Sequence, residues 1–279
     1  MNYRHAFHAG NFADVVKHAV LTLLVRLLQK KETPVALIDS HAGIGRYDLW
    51  TAAPNKTDEY KDGIGRLWGL SAPPEDLAPY LSIVSAMNGD HLRHYPGSPS
   101  LLRQLMRQQD RLILAEKHPE DAQALKALFH ADRQVAVHDM DGWQALKAFL
   151  PPIEKRGLAL IDPPFEERGE YERLGNALIK AHHRWPQGVL IGWHPIKDMV
   201  AVEGLYEMLR QSHIPGILAV RHLLGGSFDP NNLNGSGLIL LNPPYTSDER
   251  LASMLPFLAE ILAKGAGAEA QLDWIAKDV

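Results

Sequence analysis

The chain has 279 residues, of which 46% are hydrophobic and 22% are charged, a mixture typical of a globular protein with a well-filled core. It contains no cysteine, which excludes disulfides, cysteine nucleophiles, iron–sulfur clusters and thiolate zinc sites. The net charge of −4 excludes a protein that coats nucleic acid with its whole surface, so any nucleic-acid contact must be a local patch.

The first residues lack the apolar segment of a signal peptide. The longest apolar stretch near the start, Ala19 to Leu28, is interrupted by Arg26. It is also shorter than the roughly 20 residues that a membrane span requires. We therefore expect a cytoplasmic protein with no membrane contact.

The first predicted helix begins after Asn11, whose side chain can cap it, and ends before Pro34. Asp14 lies in the first turn, where a carboxylate complements the positive end of the helix dipole. Apolar residues then recur with helical spacing at Val15, Val16, Ala19, Val20, Leu23, Leu24, Leu27 and Leu28. This spacing predicts an amphipathic helix.

Seven short apolar runs follow, and each predicts a buried strand because turn or charged residues bound it. They are Val35 to Ile38, Leu112 to Ala115, Val135 to Val137, Leu158 to Ile161, Val189 to Ile191, Ile217 to Val220 and Leu238 to Leu241. Helical patterns lie between several of them, at Glu120 to Phe129, Trp143 to Leu150, Tyr171 to Ala181 and Ala201 to Gln211. This alternation predicts an α/β fold, a mostly parallel sheet with helices on both faces.

The connection between the first two strands is too long for a single crossover. Helical patterns lie within it, around Asp58 to Trp68 and Glu75 to Met87. We therefore expect one domain over residues 1–279, with an inserted small helical subdomain within residues 46–110. Such insertions often cover the ligand-binding edge of a sheet, although a decorative insertion is equally compatible with the sequence.

Polar or glycine-rich loops follow four of the predicted strands. Asp39 ends the first strand, with Gly43 soon after it, and Glu116 ends the second. The segment His138 to Gly142 follows the third strand, and Asp162 follows the fourth. Open α/β sheets bind ligands at the carboxyl ends of their strands, so these loops together predict a single site. Each loop alone is compatible with a plain turn.

The glycine loop gives weak support to a dinucleotide-dependent dehydrogenase. Gly43 and Gly45 would be the first two glycines of a dinucleotide fingerprint, but Asp48 occupies the place of the third. Glu116 can accept hydrogen bonds from both hydroxyls of a ribose.

The loop Asp162-Pro163-Pro164-Phe165 carries the most specific signal. Its prolines stiffen the turn and remove backbone donors, which leaves nearby carbonyls and the Asp162 carboxylate as acceptors for an exocyclic amine. Phe165 can stack on a flat heterocycle. The loop resembles the Asp/Asn-Pro-Pro-Phe/Tyr signature of amino-group methyltransferases that use S-adenosylmethionine, in which the amine attacks the sulfonium methyl.

A second copy of this signature, Asn242-Pro243-Pro244-Tyr245, follows the last predicted strand. In the methyltransferase fold that the sequence resembles, the last strand runs antiparallel to the others, so its carboxyl end lies at the opposite edge of the sheet. We therefore expect Asn242 to be a structural turn and Asp162 to be the catalytic candidate.

The N-terminal segment restricts the resemblance to one family of amino-group methyltransferases. The segments that carry it are Tyr3 to His18, Asp39 to Gly43, Tyr95 to Pro99, Glu116 to Pro119, Asp141-Gly142 and Asp162 to Phe165. Over essentially the whole chain the sequence resembles the bacterial 23S ribosomal RNA large-subunit methyltransferase J family. The resemblance implies a Rossmann-like class I methyltransferase fold with a mostly parallel seven-stranded sheet. It also implies adenine-N6-specific methylation of 23S rRNA with S-adenosylmethionine as the cofactor.

The resemblance also implies roles for individual residues. With Gly43 of the glycine loop, the cofactor pocket would contain His18, His41, Ser98, Glu116, Asp141, Gly142 and Asp162. Glu116 would bind the ribose, and Asp141 would lie near the adenine of the cofactor. Asp162 would hold and deprotonate the target amine, in a catalytic set with Pro163 and Phe165. Tyr3, Arg4 and Phe165 would contact the RNA; the family usually has tyrosine in place of Phe165.

Several of these residues also have ordinary structural explanations. Ser98 can cap the helix predicted around Leu101. Asp141 can begin the helix that contains Trp143, and His18 can be a hydrogen-bonded histidine of the core.

Two other functions are compatible with the sequence. A metal-dependent hydrolase would use ligand types that metals favour, namely His5, His8, Asp14 and His18, although their spacing fits no signature. A non-catalytic RNA-binding module would bind RNA without the cofactor.

The expected partner is protein-free 23S rRNA, and a monomer is the favoured state. Candidates for a local phosphate-binding patch are Arg4, Lys17, Arg103 and Arg107. For any one of them, a solvated helix face is the better explanation.

Overall fold

The structure is a computed structural model, and it describes residues 8–51, 58–230 and 232–277. Within these ranges no helix combines the length and the apolar character that crossing a membrane requires. The expected contacts of Tyr3 and Arg4, and the metal-ligand role considered for His5, lie outside the described residues.

The strands are β1 Ala36–Asp39, β2 Arg46–Asp48, β3 His94–Pro96, β4 Arg111–Glu116, β5 Val135–Asp139, β6 Gly157–Ile161, β7 Val189–Ile196, β8 Ile217–Leu223, β9 Gly235–Leu241 and β10 Glu269–Ala276. The helices are α1 Phe12–Leu28, α2 Ile64–Leu67, α3 Ala78–Ala86, α4 Ser98–Leu105, α5 Pro119–Leu128, α6 Gly142–Phe149, α7 Glu170–Arg184, α8 Met199–Gln211 and α9 Ser247–Ile261. A 3-10 turn, Glu59–Asp62, precedes α2.

The main sheet has eight strands in the order β10-β8-β9-β7-β6-β1-β4-β5, and β2 and β3 form a separate two-stranded ribbon. Strands β5, β4, β1, β6 and β7 are mutually parallel, whereas β9 runs antiparallel to both β7 and β8. The predicted α/β class is confirmed, and all seven predicted strands are present. The antiparallel direction predicted for the last of them, β9, is also confirmed.

The predicted number of seven strands is wrong, because β10 adds an eighth to the main sheet. This strand pairs antiparallel with β8 at the sheet edge and is only partly buried. Its sequence alternates polar and apolar residues, with Glu269, Gln271 and Asp273 on one side. A strand with one solvated face has this alternation and lacks the continuous apolar run of a buried strand.

Helix α1 begins as predicted, because the Asn11 side chain accepts a hydrogen bond from the Asp14 backbone N–H at 3.0 Å. The amphipathic expectation is wrong for this helix, since every residue except Arg26 is buried. The inserted segment covers the face that would otherwise meet water. Its Ile64 and Tyr80 belong to the same hydrophobic cluster as α1 and one face of the sheet.

The opposite face of the sheet is covered by α6, α7 and α8, which form a second hydrophobic cluster. Layers on both faces leave the strand ends as the places where polar loops can gather. The carboxyl ends of β5, β4, β1, β6 and β7 share one edge with that of β8, which runs in the same direction, and we call it the carboxyl edge.

Candidate active site

A cavity lies at the carboxyl edge, between the loops that follow β1, β4, β5 and β6, and we call it the first cavity. All the residues predicted to bind the cofactor line it: His18, His41, Gly43, Ser98, Glu116, Asp141, Gly142 and Asp162. These residues come from six separate segments of the chain. The structure brings them together because parallel strands deliver their following loops to the same edge.

Backbone amides on both sides hold the Glu116 carboxylate in place. Its Oε2 accepts from the Gly43 N–H at 2.7 Å, and its Oε1 accepts from the His118 N–H at 2.7 Å. Each carboxylate oxygen has a further lone pair, so the fixed side chain can still accept two hydroxyl hydrogens. This geometry fits the ribose of a nucleoside cofactor.

Asp141 begins helix α6, as its structural explanation predicted. Its Oδ1 accepts from the backbone N–H groups of Trp143 and Gln144 at 3.0 and 3.2 Å, and its Oδ2 lies 3.2 Å from the Lys117 ammonium. Burial alone would raise the pKa of Asp141, but Lys117 and the helix N–H groups outweigh burial and lower it. The cavity therefore presents an ionised carboxylate that an amine can approach at Oδ2.

Gly142 allows the loops after β1 and β5 to approach closely. A Cβ atom at this position would lie 2.1 Å from the Ser40 carbonyl oxygen and 2.7 Å from the His41 ring. The His41 ring packs edge-on against Trp143, with 5.2 Å between ring centroids. Burial lowers the pKa of His41 to about 4, so a neutral imidazole forms this wall of the first cavity.

The capping role considered for Ser98 is wrong. Gly97 is the N-cap of α4, and Ser98 is the first helical residue, followed by Pro99. Gly97 has the extended backbone of an N-cap, and its carbonyl oxygen already accepts from the Leu101 N–H at 3.0 Å, so the helix starts one residue earlier than Ser98 would place it. Ser98 is buried beside Asp39, and its hydroxyl counteracts the burial that raises the pKa of Asp39 to about 6.

His18 is a hydrogen-bonded histidine of the core, as its structural explanation predicted. Its Nδ1 lies 2.8 Å from the Tyr95 hydroxyl, and the two rings stack with 5.5 Å between centroids. The side chain is 1% exposed and still borders the first cavity. A core position and a position at the cavity wall are therefore compatible for this residue.

Asp162 forms a buried charge cluster with two residues of α1. The Lys17 ammonium lies 2.5 Å from Asp162 Oδ2 and 2.8 Å from Asp14 Oδ1, and all three side chains are at most 12% exposed. Burial would lower the pKa of Lys17, but the two carboxylates outweigh burial and raise it. The ammonium therefore fixes the orientation of the Asp162 carboxylate.

Sequence reasoning missed this role of Lys17. The local signal was a lysine three residues after Asp14 on a helix whose neighbouring positions are strongly apolar, a position where a charge requires a partner. The partner, Asp162, is 145 residues away in the sequence, so the spacing does not reveal it.

A second cavity, of about 660 Å³, lies next to the first. Phe165 and Trp193 line it on one side, and His8, Asn11 and Glu59 also contribute to its wall. The residues common to both cavities are Lys17, Asp162 and Pro164. The Asp162 carboxylate thus lies at the junction of two cavities.

The predicted phosphate-binding patch is wrong for its three described members. Lys17 is buried against carboxylates, and Arg103 pairs with Asp132. Arg107 binds Asp110 and the Thr33 carbonyl oxygen near the beginning of β1, at the opposite edge of the sheet from both cavities. Each of these three side chains forms an ion pair with a different carboxylate of the protein.

The metal-site hypothesis is also not supported by the geometry. His8 contacts Glu59, Asp14 contacts Lys17, and His18 contacts Tyr95, so the three candidate ligands do not converge. In the part of the chain that the structure describes, no group of three or more histidine and carboxylate side chains could hold a metal ion.

The sheet order and the loops around the first cavity define the class of protein. A glycine loop after β1, a fixed carboxylate after β4 and an Asp-Pro-Pro-Phe loop after β6 meet at the carboxyl edge of a sheet with one internal antiparallel strand. These are the features of a Rossmann-like methyltransferase. A family model described as ribosomal RNA large subunit methyltransferase D, RlmJ, matches residues 32–276. The chain belongs to this family.

Two named relatives align with almost the whole chain. Ribosomal RNA large subunit methyltransferase J of Haemophilus influenzae is 38% identical over 277 residues, and the protein of the same name from Escherichia coli strain K12 is 37% identical over 276 residues. Each alignment covers 99% of this chain and 99% of the relative.

A solved structure supports the fold. A crystal structure of a protein from Legionella pneumophila strain Philadelphia 1 is 33% identical and superposes with a TM-score of 0.86. The match covers 95% of this chain and 98% of that protein. The fold therefore agrees over nearly the full length of both chains.

Proposed function

We propose that this chain transfers the methyl group of S-adenosylmethionine to the N6 amine of an adenine in 23S rRNA. The observation that carries the proposal is the position of Asp162 at the junction of the two cavities. A nucleoside cofactor in the first cavity and an adenine in the second would meet at this carboxylate. The family and its named relatives supply the rRNA substrate class.

The first cavity fits the polar groups of the cofactor. Glu116 would bind the ribose hydroxyls, and Asp141 would accept a hydrogen from the adenine amine at Oδ2. Gly43 and Gly142 have no side chain, so the backbone at these positions could approach the cofactor closely. When bound, S-adenosylmethionine supplies the electrophilic methyl group.

Asp162 would bind and orient the target amine. Lys17 binds its Oδ2, so Oδ1 is the oxygen placed to accept a hydrogen from the amine. Holding the N–H in this way directs the nitrogen lone pair towards the methyl group. The nitrogen becomes acidic once methylated, and Asp162 then receives its proton.

The second cavity would hold the adenine after it has left its stack in the RNA. Phe165 lines this cavity, and its ring can still stack on a base although the family's tyrosine hydroxyl is absent. Extruding a base costs a few kcal/mol, least where the base is unpaired or loosely paired. With a net charge of −4, the chain has no broad basic surface, so RNA contacts should be few and local.

The test is mass mapping of 23S rRNA from a strain that lacks this gene. We expect one N6-methyladenine to disappear and to return when the wild-type gene is restored. An unchanged modification pattern would contradict the proposal and favour a non-catalytic RNA-binding module.

A second assay tests the expected RNA partner. We expect methyl incorporation into protein-free 23S rRNA, with activity falling as salt rises because phosphate contacts release counterions. Labelling confined to assembled large subunits would show that a ribosomal-protein surface contributes to recognition.

A further inference from the structure

The inserted segment holds the residues that precede α1 through one side chain, Glu59. Its carboxylate oxygens lie 3.1 and 3.0 Å from His8 Nδ1, and its Oε2 also accepts from the Asn11 side-chain amide at 2.9 Å. Glu59 therefore binds both ends of the four-residue segment from His8 to Asn11.

The backbone around this contact is tightly packed. The Ile64 N–H donates to the Gly10 carbonyl oxygen at 2.9 Å, and a Cβ atom on Gly63 would lie 2.1 Å from that same oxygen. The Gly10 N–H donates to Asp14 Oδ2 at 3.0 Å. Asp14 also binds Lys17, so the segment held by Glu59 is connected to the charge cluster at Asp162.

The contact lies on the wall of the second cavity, which His8, Asn11 and Glu59 all line. The side chains of His8 and Glu59 are 39% and 34% exposed, so their ion pair is partly in water. Ion pairs of this exposure contribute little to folding. The three contacts that converge on Glu59 therefore fix the positions of His8 and Asn11 more than they stabilise the fold.

We propose that Glu59 is a positioning residue for the RNA substrate, because it holds His8 and Asn11 as one wall of the second cavity. The inserted segment thereby takes part in substrate binding. This inference rests on the proposed function, since it takes the second cavity to be the place of the target nucleotide. Glu59 acts through His8 and Asn11 and contacts no reacting atom.

The contact also predicts a pH dependence. The hydrogen bond that His8 donates to Glu59 raises the pKa of His8, burial opposes it, and among the nearby charges Glu59 and Asp14 raise the pKa and Lys197 lowers it. The charged pair is complete between the lowered pKa of Glu59 and the raised pKa of His8, and it is lost as pH rises through the pKa of His8. The wall should therefore be best ordered on the acidic side of that pKa.

The test compares Glu59→Ala and Glu59→Gln with a matched control in the same inserted segment, Asp76→Asn. Asp76 accepts from Arg250 Nε at 2.8 Å, and neither of these two residues lines either cavity. For each variant the readouts are the melting temperature, the calorimetric affinity for S-adenosylmethionine, and KM and kcat on protein-free 23S rRNA.

For Glu59→Ala we expect KM for RNA to rise about tenfold, with kcat and cofactor affinity within about twofold of wild type. Glu59→Gln keeps the shape of the side chain and one acceptor oxygen, so its KM for RNA should lie between those of wild type and Glu59→Ala. Asp76→Asn should leave KM unchanged. In wild type KM should rise with pH, and in Glu59→Gln the rise should move to lower pH because the negative partner of His8 is gone.

An unchanged KM in Glu59→Ala would overturn the inference, and so would an equal rise in Asp76→Asn, which would indicate a general loosening of the inserted segment. Identical pH profiles for wild type and Glu59→Gln would also overturn it. A wild-type protein that methylates no RNA would instead contradict the proposed function.

Discussion

The two Pro-Pro loops have the same sequence signature and opposite positions in the fold. Asp162 follows β6 and lies at the carboxyl edge, in contact with Lys17. Asn242 follows β9, which runs antiparallel to its neighbours, and its N–H donates to the Gly216 carbonyl oxygen at the beginning of β8. The direction of the preceding strand therefore decides which loop reaches the cavities.

The aromatic residues that end the two loops differ in their surroundings. Phe165 packs edge-on against Tyr171 and Trp193, with 4.9 and 5.6 Å between ring centroids. Tyr245 is 92% exposed. The same signature thus produces an aromatic wall of a cavity at one edge and a solvated surface turn at the other, so the motif alone does not identify the site.

The largest expected effect comes from Asp162→Ala at the carboxyl edge. Removing the acceptor that orients the amine should lower methyl transfer by about a thousandfold or more. The measurement is methyl incorporation into 23S rRNA, with circular dichroism and cofactor calorimetry as controls for folding. A folded variant that keeps the wild-type rate would reverse the assignment of the two loops.

Buried carboxylates at the two edges should affect stability in opposite directions. Burial raises the pKa of Asp39 to about 6, so between its ordinary value and about 6 the folded state binds a proton that the unfolded state does not. Wild type should therefore lose up to about 3 kcal/mol of unfolding free energy as pH rises from about 4 to 6. Asp39→Asn should remove this loss.

Asp110 immediately precedes β4, at the edge of the sheet where the parallel strands begin, which we call the amino edge, and it provides the control for that experiment. Burial would raise the pKa of Asp110, but Arg107 and backbone N–H groups outweigh burial and lower it. Its contribution is present above the ordinary carboxyl pKa and is lost as pH falls through the lowered value. Near neutral pH, Asp110→Asn should therefore destabilise the fold while Asp39→Asn stabilises it. Urea unfolding that shows the same sign for both would contradict the comparison.

Glu116→Ala should weaken cofactor binding without affecting the amino edge. Each charge-assisted hydrogen bond lost is worth roughly 1.5 to 3 kcal/mol, so affinity for S-adenosylmethionine should fall at least about tenfold. Glu120→Ala is the control, because Glu120 is exposed on the following helix and does not line the first cavity. Equal calorimetric affinities for wild type and a folded Glu116→Ala protein would exclude the ribose role.

The smallest effect is expected at the second Pro-Pro loop. Asn242 has a φ of 51°, in the left-handed region that asparagine tolerates better than alanine does. Asn242→Ala should lower stability by about 1 kcal/mol and leave methyl transfer unchanged, whereas Asn242→Gly should restore the lost stability. Loss of methyl transfer in a folded Asn242→Ala protein would assign a functional role to the amino edge.

Much of the fold could be predicted because buried strands and helices have different apolar spacing. The eighth strand was missed because one of its faces is solvated, so its sequence has no continuous apolar run. The buried outer face of α1 was missed for a different reason. The inserted segment covers this face, and the spacing of apolar residues within α1 does not reveal the path of that segment.

The loops of the first cavity could be predicted because they follow strands or begin helices, whereas His18 lies within α1 and was expected only from the family resemblance. Contacts that depend on distant pairing could not be predicted. Lys17 meets Asp162 across 145 residues, and Glu59 meets His8 across 51. The cap assigned to Ser98 was wrong by one residue, since local propensity does not fix where a helix begins when glycine and serine are adjacent.

A crystal structure of the chain with S-adenosylhomocysteine and adenosine 5′-monophosphate would test the assignment of the two cavities. We expect S-adenosylhomocysteine in the first cavity with its ribose on Glu116, and the adenine in the second cavity with its amine within hydrogen-bond distance of Asp162. Either ligand bound at Asn242 and the amino edge, or an adenine amine that does not reach Asp162, would contradict this assignment.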